Sequence, residues 1–110
     1  MKAKIKRERK NKMNKQIFNM IEYPKQGIIS KTVIKNSNVD IGLFCMVKNT
    51  EMSEHTSTKP GTVYVVEGRG IFNLKGKDIK MLPGTLIFME KNAKHSLKAI
   101  ENMAFILTLF

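Results

Sequence analysis

The stretch "EHTSTKPGTVYVVEGRG", residues 54–70, decides how the rest of the chain is interpreted. It places His55 ahead of a run of β-branched and aromatic residues, which suits a pleated, half-buried strand. The run ends in Glu-Gly-x-Gly. Because a strand rather than a helix follows, these glycines indicate a turn and a bend instead of a phosphate loop. A second histidine, His95, comes after the turn sequence "LPGT" (82–85). The chemistry of this chain therefore depends on whether the two histidines meet.

Short strand-like runs separated by turn signals extend on both sides of this stretch. Lys75-Gly76 is a predicted hairpin turn, and Pro83-Gly84 fits the centre of a type II turn. Only residues 14–23 have a helical alternative. The predicted strands are "KTVIKN" (31–36), "DIGLFCMV" (40–47), "TVYVVEG" (62–68), "GIFNL" (70–74), "KDIKML" (77–82), "TLIFM" (85–89), "HSLKAI" (95–100) and "MAFILTLF" (103–110). About eight short strands at this spacing predict an all-β sandwich or small barrel.

Length and composition limit the chain to one domain with a modest core. The 110 residues are 42% hydrophobic and 26% charged, which is ordinary for a globular protein. No apolar run reaches the ~18 residues that span a membrane, and no apolar signal region follows the basic start. Cys45 is the single cysteine and has no partner for an internal disulfide. We therefore expect a cytoplasmic protein without a membrane partner.

Positive charge is concentrated at the amino terminus. Residues 1–15 carry eight basic side chains against Glu8, a net +7 of the total +11. We expect residues 1–15 to form a flexible basic tail and residues 16–110 to form a single barrel domain. An arm of this charge also pairs readily with phosphates, which leaves a regulatory or nucleic-acid-associated module as an alternative. Nucleic acid is not the partner that we expect.

The order of the motifs resembles that of the cupin superfamily, in particular the small single-domain RmlC-like cupins. The resemblance is carried by "EHTSTKPGTVYVVEGRG" (54–70) for the first cupin motif and "LPGTLIFMEKNAKHSLKAIENMAFILTL" (82–109) for the second. It covers Ser30 to Phe110. The fold that it implies is a double-stranded β-helix, or jelly-roll barrel, which agrees with the strand count.

The resemblance also implies a metal site, and the chain departs from it. Cupin metal ligands are usually two histidines and a glutamate of the first motif and one histidine of the second. His55 and His95 occupy two of these four positions. Ser57 and Gly61 stand where the other histidine and the glutamate are expected. Restoring both side chains, by Ser57→His and Gly61→Glu, is expected to create tight divalent-metal binding.

Two histidines alone make a weak metal site, so a bound ion would need a further ligand. The third-ligand candidates are Glu54 and Cys45, and both are weak. Glu54 neighbours His55 and would point to the opposite face of an extended chain, and Cys45 sits in an apolar run. A bound cofactor would be a divalent Mn, Fe, Zn or Ni ion.

The leading interpretation is a small organic ligand bound inside the barrel. His55 and His95 are its polar anchors, with Tyr64 and Arg69 as candidates for the wall or rim. The runner-up is a metal-dependent cupin enzyme of isomerase or dioxygenase type, with an unusual ligand set. The sequence does not decide whether the protein is an enzyme, because cupin folds carry many chemistries. Both interpretations require side-chain nitrogens of the two histidines within about 6 Å of each other.

A two-fold symmetric homodimer is also expected. Small cupins generally dimerise, and a small antiparallel barrel gains from covering its exposed sheet edges. The predicted contact regions are "KTVIKN" (31–36) and "DIGLFCMV" (40–47).

Overall fold

The structure is a computed structural model that describes residues 14–110. These residues form nine β-strands, one 3-10 turn at Ile17–Asn19 and no α-helix. The strands are Ile28–Lys35 (β1), Asp40–Met46 (β2), Glu51–His55 (β3), Gly61–Glu67 (β4), Gly70–Leu74 (β5), Lys77–Met81 (β6), Leu86–Met89 (β7), His95–Ala99 (β8) and Met103–Leu109 (β9). The predicted helical alternative for residues 14–23 is therefore wrong apart from one 3-10 turn.

The strands form two antiparallel sheets that pack face to face. The larger sheet has the order β1-β2-β9-β4-β7, and the smaller sheet has the order β3-β8-β5-β6. Most neighbours within a sheet are distant in the chain, as where β9 lies between β2 and β4. This winding is that of a double-stranded β-helix, and the all-β jelly-roll barrel predicted from the sequence is confirmed.

The predicted turns form where glycine permits a left-handed backbone. Lys75 and Gly76 both have positive φ (53° and 86°), as the two central residues of a type I′ hairpin turn require. Gly84 has a φ of 93°, and the Thr85 amide donates a hydrogen bond to the Leu82 carbonyl at 2.8 Å. This is the type II turn expected from Pro-Gly. The first turn fixes the register of β5 with β6, and the second leads from β6 of one sheet to β7 of the other.

The main core lies between the sheets. Phe72 of the smaller sheet and Phe105 and Met103 of the larger sheet are almost completely buried there. Burying a side chain of this size stabilises the fold by about 1.5–3 kcal/mol before the entropy of ordering is subtracted. On β4, Val63 and Val65 point into this core, and the intervening positions point outward.

The outer face of the larger sheet is partly covered by residues 17–23. Tyr23 lies over β2, β9 and β4, and its hydroxyl donates a hydrogen bond to Glu67 Oε2 at 2.6 Å. Burial and the Glu67 carboxylate raise the pKa of this phenol. Lys31 Nζ donates to the Met20 carbonyl at 2.8 Å and holds the same segment. Cys45 is fully buried beneath this cover.

The predicted basic tail, residues 1–15, lies almost wholly outside the described residues. The same holds for the nucleic-acid-binding alternative, which depends on it. Among residues 14–110, no helix is long and apolar enough to cross a bilayer.

Candidate functional site

Pairing between β3 and β8 brings the two histidines together. His55 is the last residue of β3 and His95 is the first residue of β8, and they are direct partners in the antiparallel register. Side chains of directly opposed residues project from the same face of a sheet. The rings meet at an angle of 64° with their centroids 4.2 Å apart. The structure thus places both imidazoles in one site.

A β-bulge turns His55 to the inner face of β3, where it lines the cavity but remains exposed, so it lies at the mouth. Met52 pairs with Leu97 and His55 pairs with His95, so three steps along β3 match two steps along β8. In a regular strand, residues three apart face opposite sides. The extra residue of a bulge re-aims the side chain that follows it, so Met52 and His55 share the inner face. The Ser53 carbonyl accepts a hydrogen bond from His55 Nδ1 at 2.7 Å, which orients the ring.

Both imidazoles hold the same nitrogen, Nδ1, against a backbone carbonyl. His95 Nδ1 lies 2.9 Å from the Ala93 carbonyl oxygen, just as His55 Nδ1 contacts Ser53. A carbonyl oxygen only accepts, so in the neutral rings the proton lies on Nδ1 and the lone pair lies on Nε2. Neither Nε2 has a hydrogen-bond partner within residues 14–110. The site therefore offers two acceptors to an occupant.

Burial keeps His95 neutral. The side chain is 6% exposed, and its ring stacks on Phe72 with centroids 5.7 Å apart. Burial lowers the pKa of His95. The Ala93 carbonyl opposes this by stabilising the charged form, and the neighbouring His55 adds to the decrease. His95 is thus an uncharged hydrogen-bond acceptor at neutral pH.

The histidines form the polar end of an otherwise apolar cavity of about 160 Å³. The other lining side chains are aliphatic, aromatic or thioether groups from both sheets, among them Phe44, Met52, Phe72, Met89 and Phe105. A site of this kind, apolar with a few convergent polar atoms, is the usual form of a small-molecule site. Its volume is close to the ~150 Å³ that accommodates benzene in an engineered protein cavity.

Tyr64 and Arg69 do not reach this cavity. Tyr64 is 45% exposed on the outer face of β4, because Val63 and Val65 take the inward positions of the strand. Arg69 lies in the turn between β4 and β5 and forms an ion pair with Glu101 at 3.0 Å. It precedes Gly70 at the start of β5, whereas His95 pairs with Leu74 at the opposite end of that strand. The structure separates both residues from the histidines.

The weak third-ligand candidates are also not brought to the histidines. Glu54 lies in the bulge and is exposed outside the cavity. Cys45 faces away from the interior, because the adjacent Phe44 takes the inward position on β2. Within the described residues, no group of three or more His, Cys, Asp or Glu side chains is placed to hold a metal ion.

Of the two vacant ligand positions, that of Gly61 is closed by its neighbours, whereas Ser57 only hydrogen-bonds within its own loop. Ser57 Oγ donates a hydrogen bond to the Lys59 carbonyl at 3.0 Å and accepts one from the Lys59 amide at 3.2 Å. At Gly61, a Cβ would lie 2.5 Å from the carbonyl oxygen of Thr108 and 2.8 Å from Leu109 Cδ2. A glutamate at this position requires β9 to move. Because β4 and β9 approach closely at position 61, the double substitution Ser57→His and Gly61→Glu does not give the metal site that the sequence led us to expect.

Sequence reasoning missed Phe44, Met52 and Phe72 as cavity residues. Met52 lies on β3, which was not predicted because "EMSEH" is mostly polar and shows no apolar alternation. Phe44 lies in a nearly continuous apolar run, so the pattern of β2 does not reveal which residues point inward. Counting every second residue back from His55 identifies the inward-facing residues of β3 only when the position of the bulge, and hence the register with β8, is known.

Comparison with known proteins agrees with this architecture. The sequence profile of the cupin domain matches residues 42–109. No curated protein gives a significant match to the chain. Among solved structures, a conserved protein of unknown function from Streptococcus pyogenes is similar, with 18% identity and a TM-score of 0.78 over 99% of this chain and 94% of that one.

Two further solved structures share the fold. An RmlC-like cupin protein from Desulfovibrio desulfuricans has 19% identity and a TM-score of 0.81, covering 90% of this chain and 96% of that one. KdgF from Halomonas sp. has 20% identity and a TM-score of 0.71, covering 76% and 77%. At such identities the likeness concerns the fold alone. Because the cupin profile matches more than half of the residues and the strands have the corresponding topology, the chain belongs to the cupin domain family.

Proposed function

We propose that this cupin binds a small organic ligand inside its barrel, with His55 and His95 as the polar anchors. The observation that carries the proposal is the pairing of the two imidazoles, 4.2 Å apart, at the end of an apolar cavity. Both rings are held by backbone carbonyls through Nδ1. Their orientation is thus set before a ligand arrives, which reduces the entropy lost on binding.

The site favours a ligand that donates hydrogen bonds. Each unprotonated Nε2 accepts one hydrogen bond, so a hydroxyl or enol satisfies one of the two and a primary amine can satisfy both, whereas an ether or ketone oxygen satisfies neither. The surrounding wall is apolar, so the part of the ligand next to the donor is apolar or aromatic. The volume suits a group of about six to eight non-hydrogen atoms. A phenol meets all three conditions.

A metal-dependent enzyme is the less well supported alternative. Catalytic metal sites commonly use three protein ligands. Among the described residues, only two imidazoles line the cavity. The remaining donors in the wall are the thioethers of Met52 and Met89, which suit soft ions such as Cu(I) rather than Mn, Fe, Zn or Ni. The donor set does not fit a divalent cupin metal centre.

Binding of phenol and toluene tests the proposal. The two probes have the same size and differ by the hydroxyl group, so the ratio of their dissociation constants measures recognition by the histidines. One net hydrogen bond of about 1 kcal/mol corresponds to a preference for phenol of roughly fivefold to tenfold. We expect calorimetric or NMR titration at pH 7.5 to give this preference in the wild type and equal affinities in the double variant His55→Leu/His95→Leu.

Tyr64→Phe is the matched control, because it removes a hydroxyl from the outer face of β4. It is expected to keep the wild-type preference. A wild type that binds toluene as tightly as phenol would contradict the assignment of the histidines as anchors. Retention of the preference in the double histidine variant would contradict it equally.

A further inference from the structure

The inner face of the larger sheet continues beyond the histidine cavity as a trough on β1, β2 and β9. Ser30 pairs with Phe44, and Thr32 pairs with Gly42. Opposed residues project from the same face, and Phe44 faces the interior, so all four positions belong to the inner face. Ser30 and Thr32 are nevertheless exposed. The trough along these residues has a volume of about 230 Å³.

The trough and the histidine cavity share walls. Phe44 and Leu107 line both. The trough extends from Phe44 along β2 to Asp40, four residues further, which is about 13 Å at the usual rise of a strand. Phe44 stacks on Phe105 with centroids 5.3 Å apart, and this fixed ring forms the boundary between the two spaces. Because the two spaces adjoin at Phe44, an elongated ligand that passes over the edge of this ring reaches both.

The two spaces differ in chemistry. The cavity is apolar apart from two nitrogens, whereas the trough carries the hydroxyls of Ser30 and Thr32 and the carboxylate of Asp40. Neither hydroxyl takes part in a hydrogen bond within the described part of the chain. Asp40 is 3.9 Å from Lys35 in an exposed ion pair, an interaction that is weak in water and leaves the carboxylate free to accept from a ligand.

We propose that the trough is a second subsite, which binds the hydroxyl-bearing tail of a ligand whose apolar head donates a hydrogen bond to the histidines. The inference rests on the proposed function, because the head must occupy the histidine cavity. It adds the class of ligand: an elongated molecule with an aromatic or similarly apolar head and a polyol-like tail. Hydroxyl groups match this trough because they both donate to Asp40 and accept from Ser30 and Thr32.

Gly42 keeps the floor of the trough open. Its backbone does not require glycine, since its φ is not positive. A Cβ there would lie 3.4 Å from Phe44 Cε1 and 3.6 Å from the Lys31 carbonyl oxygen, which are ordinary contacts. A side chain is therefore sterically tolerated by the fold and projects into the trough. Gly42→Leu fills the trough without touching either histidine, and Gly42→Ala is its conservative counterpart.

Two probes separate the subsites: phenol, which fits the cavity, and 4-hydroxyphenyl glucoside, which adds a sugar to the same head. We expect the glucoside to bind the wild type about tenfold more tightly than phenol, as one or two net hydrogen bonds provide. In NMR titrations, phenol is expected to shift the histidine ring signals alone, and the glucoside is expected to shift the Gly42 amide as well. Gly42→Leu should abolish the gain and leave phenol binding unchanged, while Gly42→Ala should retain most of it.

Ser30→Ala combined with Thr32→Val tests the subsite without adding volume. It is expected to remove most of the gain in affinity of the glucoside over phenol and to preserve phenol binding.

A glucoside that binds the wild type no more tightly than phenol overturns the second subsite and leaves the proposed function intact. Loss of phenol binding in Gly42→Leu also overturns it. If Gly42→Leu turns a wild-type dimer into a monomer in light scattering, a second copy covers the trough and the inference is wrong. A wild type that binds neither probe overturns the proposed function and this inference together.

Discussion

Gly61→Ala is expected to destabilise the fold strongly, because β4 and β9 approach each other too closely for a side chain at this position. An added Cβ would lie 2.5 Å from the Thr108 carbonyl oxygen, whereas ordinary contacts begin at 3.4 Å. The strands would have to separate by about 0.9 Å at a backbone atom that is held in the ladder. Overpacking of side chains typically costs 1–3 kcal/mol, so this backbone contact is expected to reach about 3 kcal/mol.

The assay is thermal unfolding of Gly61→Ala beside Gly42→Ala and the wild type. For a domain of this size, about 3 kcal/mol corresponds to a decrease in Tm of roughly 10–20 °C. Gly42→Ala is the matched control because its Cβ meets only ordinary contacts, and it is expected to change stability by less than about 1 kcal/mol. Equal Tm values for Gly61→Ala and the wild type would refute the reasoning. They would show that position 61 has room for a side chain and hence for a glutamate ligand.

Three further predictions concern pH, metal and assembly. Burial lowers the pKa of His95 in the folded state, so protonation favours the unfolded chain. In urea titrations, the contribution of His95 to the free energy of unfolding is expected to be full above the unfolded pKa of about 6.5. It is expected to be lost as the pH decreases from there through the lower folded-state pKa. His95→Leu should remove this component, and an unchanged pH profile would argue against a buried neutral ring. Tag-free protein dialysed against Mn, Zn or Ni is expected to bind well below one equivalent, because two imidazoles make a weak site; near-stoichiometric metal by elemental analysis would favour the enzyme alternative. A homodimer remains our prediction for assembly. Of the two expected contact regions, residues 31–36 lie mostly on β1, which has a free edge, whereas residues 40–47 lie on β2, which is enclosed between β1 and β9, so we now expect contact through the β1 edge alone. A monomer mass by light scattering at micromolar concentration would contradict the dimer.

Local sequence chemistry was sufficient for the strands and turns of this barrel. The Pro83-Gly84 turn and the Lys75-Gly76 hairpin follow from the φ values that these residues favour, and the structure has both. The apolar runs locate eight of the nine strands among residues 14–110. These features depend on near neighbours in the chain, which a sequence displays directly.

The face of each strand was less accessible to sequence reasoning. In "TVYVVEG" the residues that alternate between the two faces are all β-branched or aromatic over the first five positions. Composition therefore does not reveal that Tyr64 points outward and Val63 inward. Cys45 and Phe44 are ambiguous in the same way. The position of His55 depends on a bulge whose extra residue is defined by pairing with β8, forty residues away in the sequence. Such pairing is a tertiary property, and no local pattern encodes it.

The central claim is that His55 and His95 present unprotonated Nε2 atoms to one cavity and bind a hydrogen-bond donor there. Long-range ¹H–¹⁵N spectra of the imidazole rings test it most directly, because the nitrogen shifts report which atom carries the proton. At pH 8 we expect both rings to carry the proton on Nδ1, as the carbonyls of Ser53 and Ala93 require, and at least one Nε2 resonance to move on addition of phenol but not of toluene. Protonation on Nε2 in either ring, or Nε2 resonances that ignore phenol, would contradict the account.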